Sequence, residues 1–187
     1  MKMELKNTVD NRIQHNRKSV SFGIRLIAFL WDYVIILSYI ILLIGVSFVA
    51  RPLVTPLFTT NPLTAEIAGF LFLTLPVYLY FAICEGSESH ATWGKRKMGI
   101  MVTGINGRPI GLGSSLFRSA LKFVPWELAH FTVWHMVMPS GYPDYSIYSL
   151  LAAVYGLALL YLISPIWSKN KQTVYDSIAG TVIRYKG

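Results

Sequence analysis

Apolar residues run together in long blocks along this chain, with short polar stretches between them. The first block, IRLIAFLWDYVIILSYIILLIGVSFVA, covers residues 24–50. About 20 apolar residues cross the ~30 Å core of a bilayer, so this block predicts a spanning helix with residues to spare. It far exceeds the roughly 7–15 apolar residues of a signal peptide, and no small-x-small cleavage pattern follows it, so a membrane anchor is the better reading. The second block, IAGFLFLTLPVYLYFAIC, covers residues 67–84, where Pro76 predicts a kink. The last, IYSLLAAVYGLALLYLISPIW, covers residues 147–167. Between them, residues 115–138 are apolar enough to span but hold Arg118, Lys122, Glu127, His130 and His135. The basic residues sit in the first two turns, where long side chains snorkel to the surface. A fourth crossing also makes the charge pattern consistent. A re-entrant or interfacial helix is the alternative for this stretch.

Two short β-type runs stand outside the blocks. In the loop of residues 85–114, GIMVTGINGRPIG contains Asn106-Gly107, which favours a type I′ turn and predicts a small hairpin. In the tail of residues 168–187, a short amphipathic helix is expected to end near Gly180, followed by the strand-like TVIRY. A strand that short needs a partner, and the segment around Ile100 to Val102 is the nearest. The expected fold is an all-α polytopic membrane protein: a four-helix transmembrane bundle with a small cytoplasmic β-hairpin and a C-terminal tail. Residues 1–19 form a basic arm and residues 20–187 the membrane domain.

Composition agrees with this picture. Of 187 residues, 53% are hydrophobic and 14% charged, against roughly 25% charged in a soluble protein. Mean hydropathy is +0.47. Basic residues gather in the arm (Lys2, Lys6, Arg12, Arg17, Lys18), the central loop (Lys95, Arg96, Lys97, Arg108) and the tail (Lys169, Lys171, Arg184, Lys186), while the other two loops share only Arg51. The positive-inside rule then places both termini and the central loop in the cytoplasm. Four crossings deliver both ends to one side, as expected for a multi-pass protein of the inner or plasma membrane. The net charge of +8 is thus explained by helix flanks facing an anionic leaflet. Nucleic acid is not an expected partner, because the aromatic residues lie in the apolar blocks rather than among the basic ones. The single cysteine, Cys84, excludes an internal disulfide and a cysteine-rich metal site.

Gly94-Lys95 does not make a phosphate loop, since Gly86 is too far upstream and Arg96 follows the lysine. Taken together the motifs resemble the RDD family of small bacterial integral membrane proteins, named for one arginine and two aspartates. Arg25 and Asp32 in IRLIAFLWD match the arginine and first aspartate. Thr92, Gly94, Lys95, Gly99, Gly107 and Pro109 match the family's loop pattern, Arg118 its next helix start, and Asp176, Ala179, Gly180 and Thr181 its closing motif. Asp176 is read as the second aspartate. The resemblance covers about residues 20–184. It implies the fold above and a transport role, some members resembling cation/proton antiporters. The WELAH stretch departs from the pattern, so Glu127 and His130 inherit no role.

Seven residues separate Arg25 from Asp32, so both project from nearly one face, about 10 Å apart along the axis. Each therefore needs a partner from another helix, the loop or the tail. Asp32 is expected near the bilayer midplane, where an aspartate costs about 2.5–3.5 kcal/mol on insertion scales. Two readings stand: a proton- or cation-binding carboxylate, or an acceptor that only fixes packing, bonded by a neighbouring helix or an arginine such as Arg118. Arg25 reads first as a charged helix end. Asp176 reads as a cap of the tail helix or a partner of Lys95 or Arg25. Gly94 and Gly99 read as shaping a turn at the membrane surface, with Lys95, Arg96 and Lys97 holding the helix ends in register. Glu127 and His130 share a face and either join Asp32 along a proton path or face outer water. A di-iron carboxylate site needs two Glu-x-x-His copies and two further glutamates; one copy is present, a second could come only from a homodimer, and no metal or cofactor is expected. No nucleophile has a usable set of partners, so an enzyme is not expected. The function classes are a small cation/proton antiporter with Asp32 as coupling carboxylate, or a scaffold or accessory subunit that recruits a membrane-protein partner or a second copy.

Overall fold

The computed structural model describes residues 20–186; the basic arm of residues 1–19 lies outside the described residues. Helix α1, Phe22–Val49, is a single helix of 28 residues, about 42 Å long at 1.5 Å per residue. The segment after it is also helical. Helix α2 is Arg51–Thr59, and α3 is Pro62–Gly69, opened by Asn61, whose side chain accepts from the Thr64 amide at 2.9 Å. Pro62 at the first helical position needs no donor there, so the second apolar helix begins at Pro62 rather than at residue 67. It continues through a π-helical turn, Phe70–Thr74, into α4, Leu75–Gly86. The kink expected at Pro76 is taken up by that turn, a common way to absorb a break in the helical ladder.

Helix α5 is Trp93–Lys97 and strand β1 Ile100–Gly104. Helix α6 is Leu112–Val137, α7 Asp144–Trp167, α8 Val174–Ile178 and strand β2 Thr181–Tyr185. Among the described residues three helices are long and apolar enough to cross a membrane: Phe22–Val49, Pro62–Gly86 and Asp144–Trp167. Helix α6 matches them in length at 26 residues but is more polar. It runs antiparallel to α4: Ser115 donates to the Ala82 carbonyl at 2.7 Å, and Trp126 to the Thr74 hydroxyl at 3.0 Å. The chain is mostly helical, with these apolar helices and one small two-stranded sheet.

That sheet pairs β1 with β2 antiparallel, from Ile100 opposite Tyr185 to Gly104 opposite Thr181. The tail strand therefore docks where it was expected. The hairpin is smaller than expected and its turn is not type I′. The Gly104 amide bonds to the Arg108 carbonyl at 2.9 Å around a three-residue loop, and the returning arm is a single bridge, Thr103 with Pro109. Pro109 has no N–H with which to extend a ladder. Gly107, at φ 80, supplies the left-handed residue that such a loop takes. The sheet closes over a buried cluster of Val20, Ala28, Ile100, Val102, Ile110 and Ile183. Because Ala28 belongs to α1, sheet and first helix share one core.

Three prolines interrupt the long helices, and in each case a hydroxyl reaches the carbonyl four residues back that the proline cannot bond. Tyr39 donates to the Phe72 carbonyl behind Pro76. Tyr161 donates at 2.9 Å to Leu121 behind Pro125, and Ser164 at 3.2 Å to Tyr161 behind Pro165. In hydrocarbon an unanswered carbonyl costs several kcal/mol, so these hydroxyls make the prolines tolerable. Tyr161→Phe is accordingly expected to lower stability in detergent by ~1–3 kcal/mol, read as a fall in the thermal midpoint, whereas Tyr155→Phe on the exposed face of α7 leaves it unchanged.

Candidate functional site: a buried charge network

Asp32 is 1% exposed and is answered by three neutral donors. Oδ1 accepts from the Tyr80 hydroxyl at 2.8 Å and the Gly94 amide at 2.7 Å; Oδ2 accepts from the Thr92 hydroxyl at 2.6 Å. The local sequence explains the arrangement. Thr92 is the N-cap of α5, with its oxygen toward the Lys95 amide at 3.4 Å, which leaves its proton for Asp32. Gly94 lies two residues on, where the first turn of a helix still has free N–H groups. The Thr-x-Gly spacing thus aims a hydroxyl and an amide at one carboxylate. Tyr80 serves twice, since its oxygen also accepts from the Trp93 amide at 3.2 Å.

Gly94 is an interface residue rather than a turn residue. A Cβ there would overlap the Ala28 carbonyl oxygen and come within 2.9 Å of both Asp32 N and Oδ1. Only glycine allows α5 to lie this close to α1. The midplane depth expected for Asp32 does not fit these contacts, because α5 carries the exposed cations Arg96 and Lys97. Lys97 caps the contact, its ammonium 4.3 Å from the Trp31 ring centre and 4.6 Å from that of Trp93.

A second set of charges adjoins the first. Glu85, fully buried at the end of α4, bonds both Lys95 and Arg118. Arg118, 1% exposed, also donates from Nε to Asp176 Oδ1 at 2.7 Å. Asp176 closes the capping box of α8 with Thr173 and accepts from the Thr181 hydroxyl at 3.2 Å. Arg25 approaches Asp176 Oδ2 at 4.0 Å. Burial, reinforced by the neighbouring Asp176 carboxylate, pushes the Tyr175 phenol up to about 12. It therefore stays neutral, with the Arg118 guanidinium 5.1 Å from its ring centre.

The geometry brings together Arg25, Asp32, Thr92, Gly94, Lys95, Arg118 and Asp176. Arg118 serves Glu85 and Asp176 rather than Asp32. Lys95 is buried in the network instead of flanking a helix, and Gly99 is the residue that turns, at φ 63. Glu127 and His130 lie elsewhere. Glu127 is about 13 Å beyond Arg118 along α6 and faces His130 at 3.5 Å, with no bond to Asp32. Among the described residues no three His, Cys, Asp or Glu side chains are grouped to hold a metal ion. Sequence reasoning missed Glu85 and Tyr80. The signal for Glu85 was its position, an acid closing an apolar block just ahead of Lys95 in a chain with only 9 acidic residues.

Such a core defines a class: a helical membrane domain whose surface cap is latched to the helices by buried charges. The RDD family model matches residues 20–180, and the chain belongs to that family. No curated protein and no solved structure matches it. Two measurements check the latch. Gly94→Ala is expected to lower the thermal midpoint in detergent far more than Gly99→Ala, whose Cβ meets open space and which costs about 1–2 kcal/mol of backbone strain. Glu85→Gln should cost about 3–5 kcal/mol by stranding Lys95 and Arg118, and adding Lys95→Met should recover part of that loss.

Proposed function

We infer that this chain is a non-catalytic membrane scaffold or accessory subunit, crossing the inner or plasma membrane four times with both termini in the cytoplasm. The observation that carries the reading is the engagement of Asp32. Both its oxygens are held by donors built into the fold, which is how a packing acceptor is used. A coupling carboxylate must instead exchange its partners. The cavity that Asp32 lines also presents Arg25, Lys95, Arg118 and Lys122. Set against the carboxylates of Asp32, Glu85 and Asp176, these four cations leave the lining net positive, which disfavours an incoming cation in a poorly solvated site.

Four crossings are supported by the meeting of four helix ends. The first turn of α1 brings Arg25, the end of α4 brings Glu85, the second turn of α6 brings Arg118, and the segment after α7 brings Asp176. An up-down-up-down path does this, with α6 as the third crossing. The cytoplasmic assignment rests on the basic residues of the loop and tail. The cap then presents Arg96, Lys97 and Arg108 outward, a basic surface for a membrane-protein partner or a second copy. Cation/proton antiport is the second reading, favoured by the opening of Asp32 onto a cavity.

Reconstitution distinguishes the two. Liposomes holding the purified protein and a pH-sensitive dye are expected to show no sodium- or potassium-driven proton flux above protein-free liposomes. Asp32→Asn is expected to lower the thermal midpoint. Flux that is present in the wild type and lost in Asp32→Asn would establish antiport instead.

A further inference from the structure

We propose that the cavity between α1, α6 and α7 binds one anionic phospholipid, its phosphate held by Arg25 and Lys122 and an acyl chain lying in an adjoining groove. The cavity has a volume of about 340 Å³ and apolar walls that include Leu26, Phe29 and Leu162. Four cations line it, and two of them are already engaged: Lys95 by Glu85, and Arg118 by Glu85 and Asp176. The other two are not. The Arg25 side chain is 9% exposed; among the described residues its three guanidinium nitrogens have no hydrogen-bond acceptor, and the nearest carboxylate oxygen is 4.0 Å away on an Asp176 that Arg118 holds. Among the described residues Lys122 has no carboxylate at ion-pair distance; its ammonium sits 3.0 Å from the Phe81 ring centre.

A guanidinium buried without an acceptor is costly unless a ligand supplies one. A phosphate does so in the geometry that arginine favours, with paired N–H···O bonds. The charge agrees as well. Arg25, Lys95, Arg118 and Lys122 against Asp32, Glu85 and Asp176 leave one positive charge, matching the single negative charge of a phosphodiester.

What selects a lipid over a free phosphate is the neighbouring groove. A second cavity of about 230 Å³ shares Phe29, Phe81 and Lys122 with the first and continues along Ile36, Ile40 and Val77. Lys122 stands at the junction. From Phe29 to Ile40 the groove follows α1 for about 16 Å at 1.5 Å per residue, close to half of a ~30 Å hydrocarbon core. That is the reach of one leaflet. Among the described residues α1 makes its main contacts with α5, and α7 with α6 and α8, so the side between α1 and α7 is where a lipid would enter.

The test uses full-length protein in detergent micelles, doped in turn with phosphatidylglycerol, phosphatidylcholine, or inorganic phosphate with no added lipid. Phosphatidylglycerol is expected to raise the thermal midpoint in a saturable way, and phosphatidylcholine and inorganic phosphate are not. Lys122→Met should keep the midpoint seen in phosphatidylcholine but weaken the phosphatidylglycerol response about tenfold or more, the loss expected for one charged hydrogen bond. Should that variant fold poorly, Lys122→Gln examined by native mass spectrometry replaces it, and retains less phosphatidylglycerol per chain than the wild type. Equal shifts from both lipids, a shift reproduced by inorganic phosphate alone, or lysine variants that respond like the wild type would each overturn the site.

Discussion

A carboxylate set into an apolar helix has to be met by donors from outside that helix, because its own backbone amides are already bonded. Asp32 imposes this requirement, and much of the remaining structure follows from it. Its donors come from α4 and from the start of α5, so the loop is drawn onto the flank of α1. Gly94 makes the approach sterically open. Once α5 is seated, Lys95 points inward and needs a counter-charge, which Glu85 supplies. Glu85 then engages Arg118, Arg118 engages Asp176, and Asp176 organises the turn that leads the tail strand to β1. The small sheet is the far end of a chain of charge compensation that begins in the first helix.

Such a network contributes less to stability than its number of ion pairs suggests. Desolvation offsets most of the attraction in a buried pair, so complete networks are close to neutral while broken ones are strongly destabilising. Its value lies in specificity. Apolar helices in lipid lack a hydrophobic force to choose neighbours or register, and α1 exposes most of its large side chains. Directional bonds at one end of the helices supply that choice.

The apolar blocks and their flanking charges made the helices legible, because spanning a bilayer demands long runs of one kind of residue. The tail strand was legible for a similar reason: TVIRY is too short to stand alone, and the segment around Ile100 to Val102 was the nearest partner. Other features were hidden by their distance in sequence. Nothing near Asp32 says that Thr92 and Gly94, some 60 residues away, will serve it. The depth assigned to Asp32 failed because counting residues from a helix start ignores a loop that folds back along the helix. The hairpin was over-read because Asn-Gly indicates a turn but not its length, and Pro109 ended the ladder. Glu85 looked like the first residue of a loop and proved to be central, since burial of an acid depends on cations that arrive later in the chain.

The spacing of the partners also fixes an order of assembly. Asp32 leaves the ribosome 62 residues before Gly94, so the first helix must wait in an unfinished state until the second helix and the loop exist. Arg118 finds Glu85 already made, 33 residues earlier, but Asp176 follows it by 58. Of the described contacts, those of the tail form last, because residues 174–185 follow every other described element in the chain. A chain shortened ahead of Asp176 would leave Arg118 with Glu85 alone and Arg25 without the carboxylate it approaches.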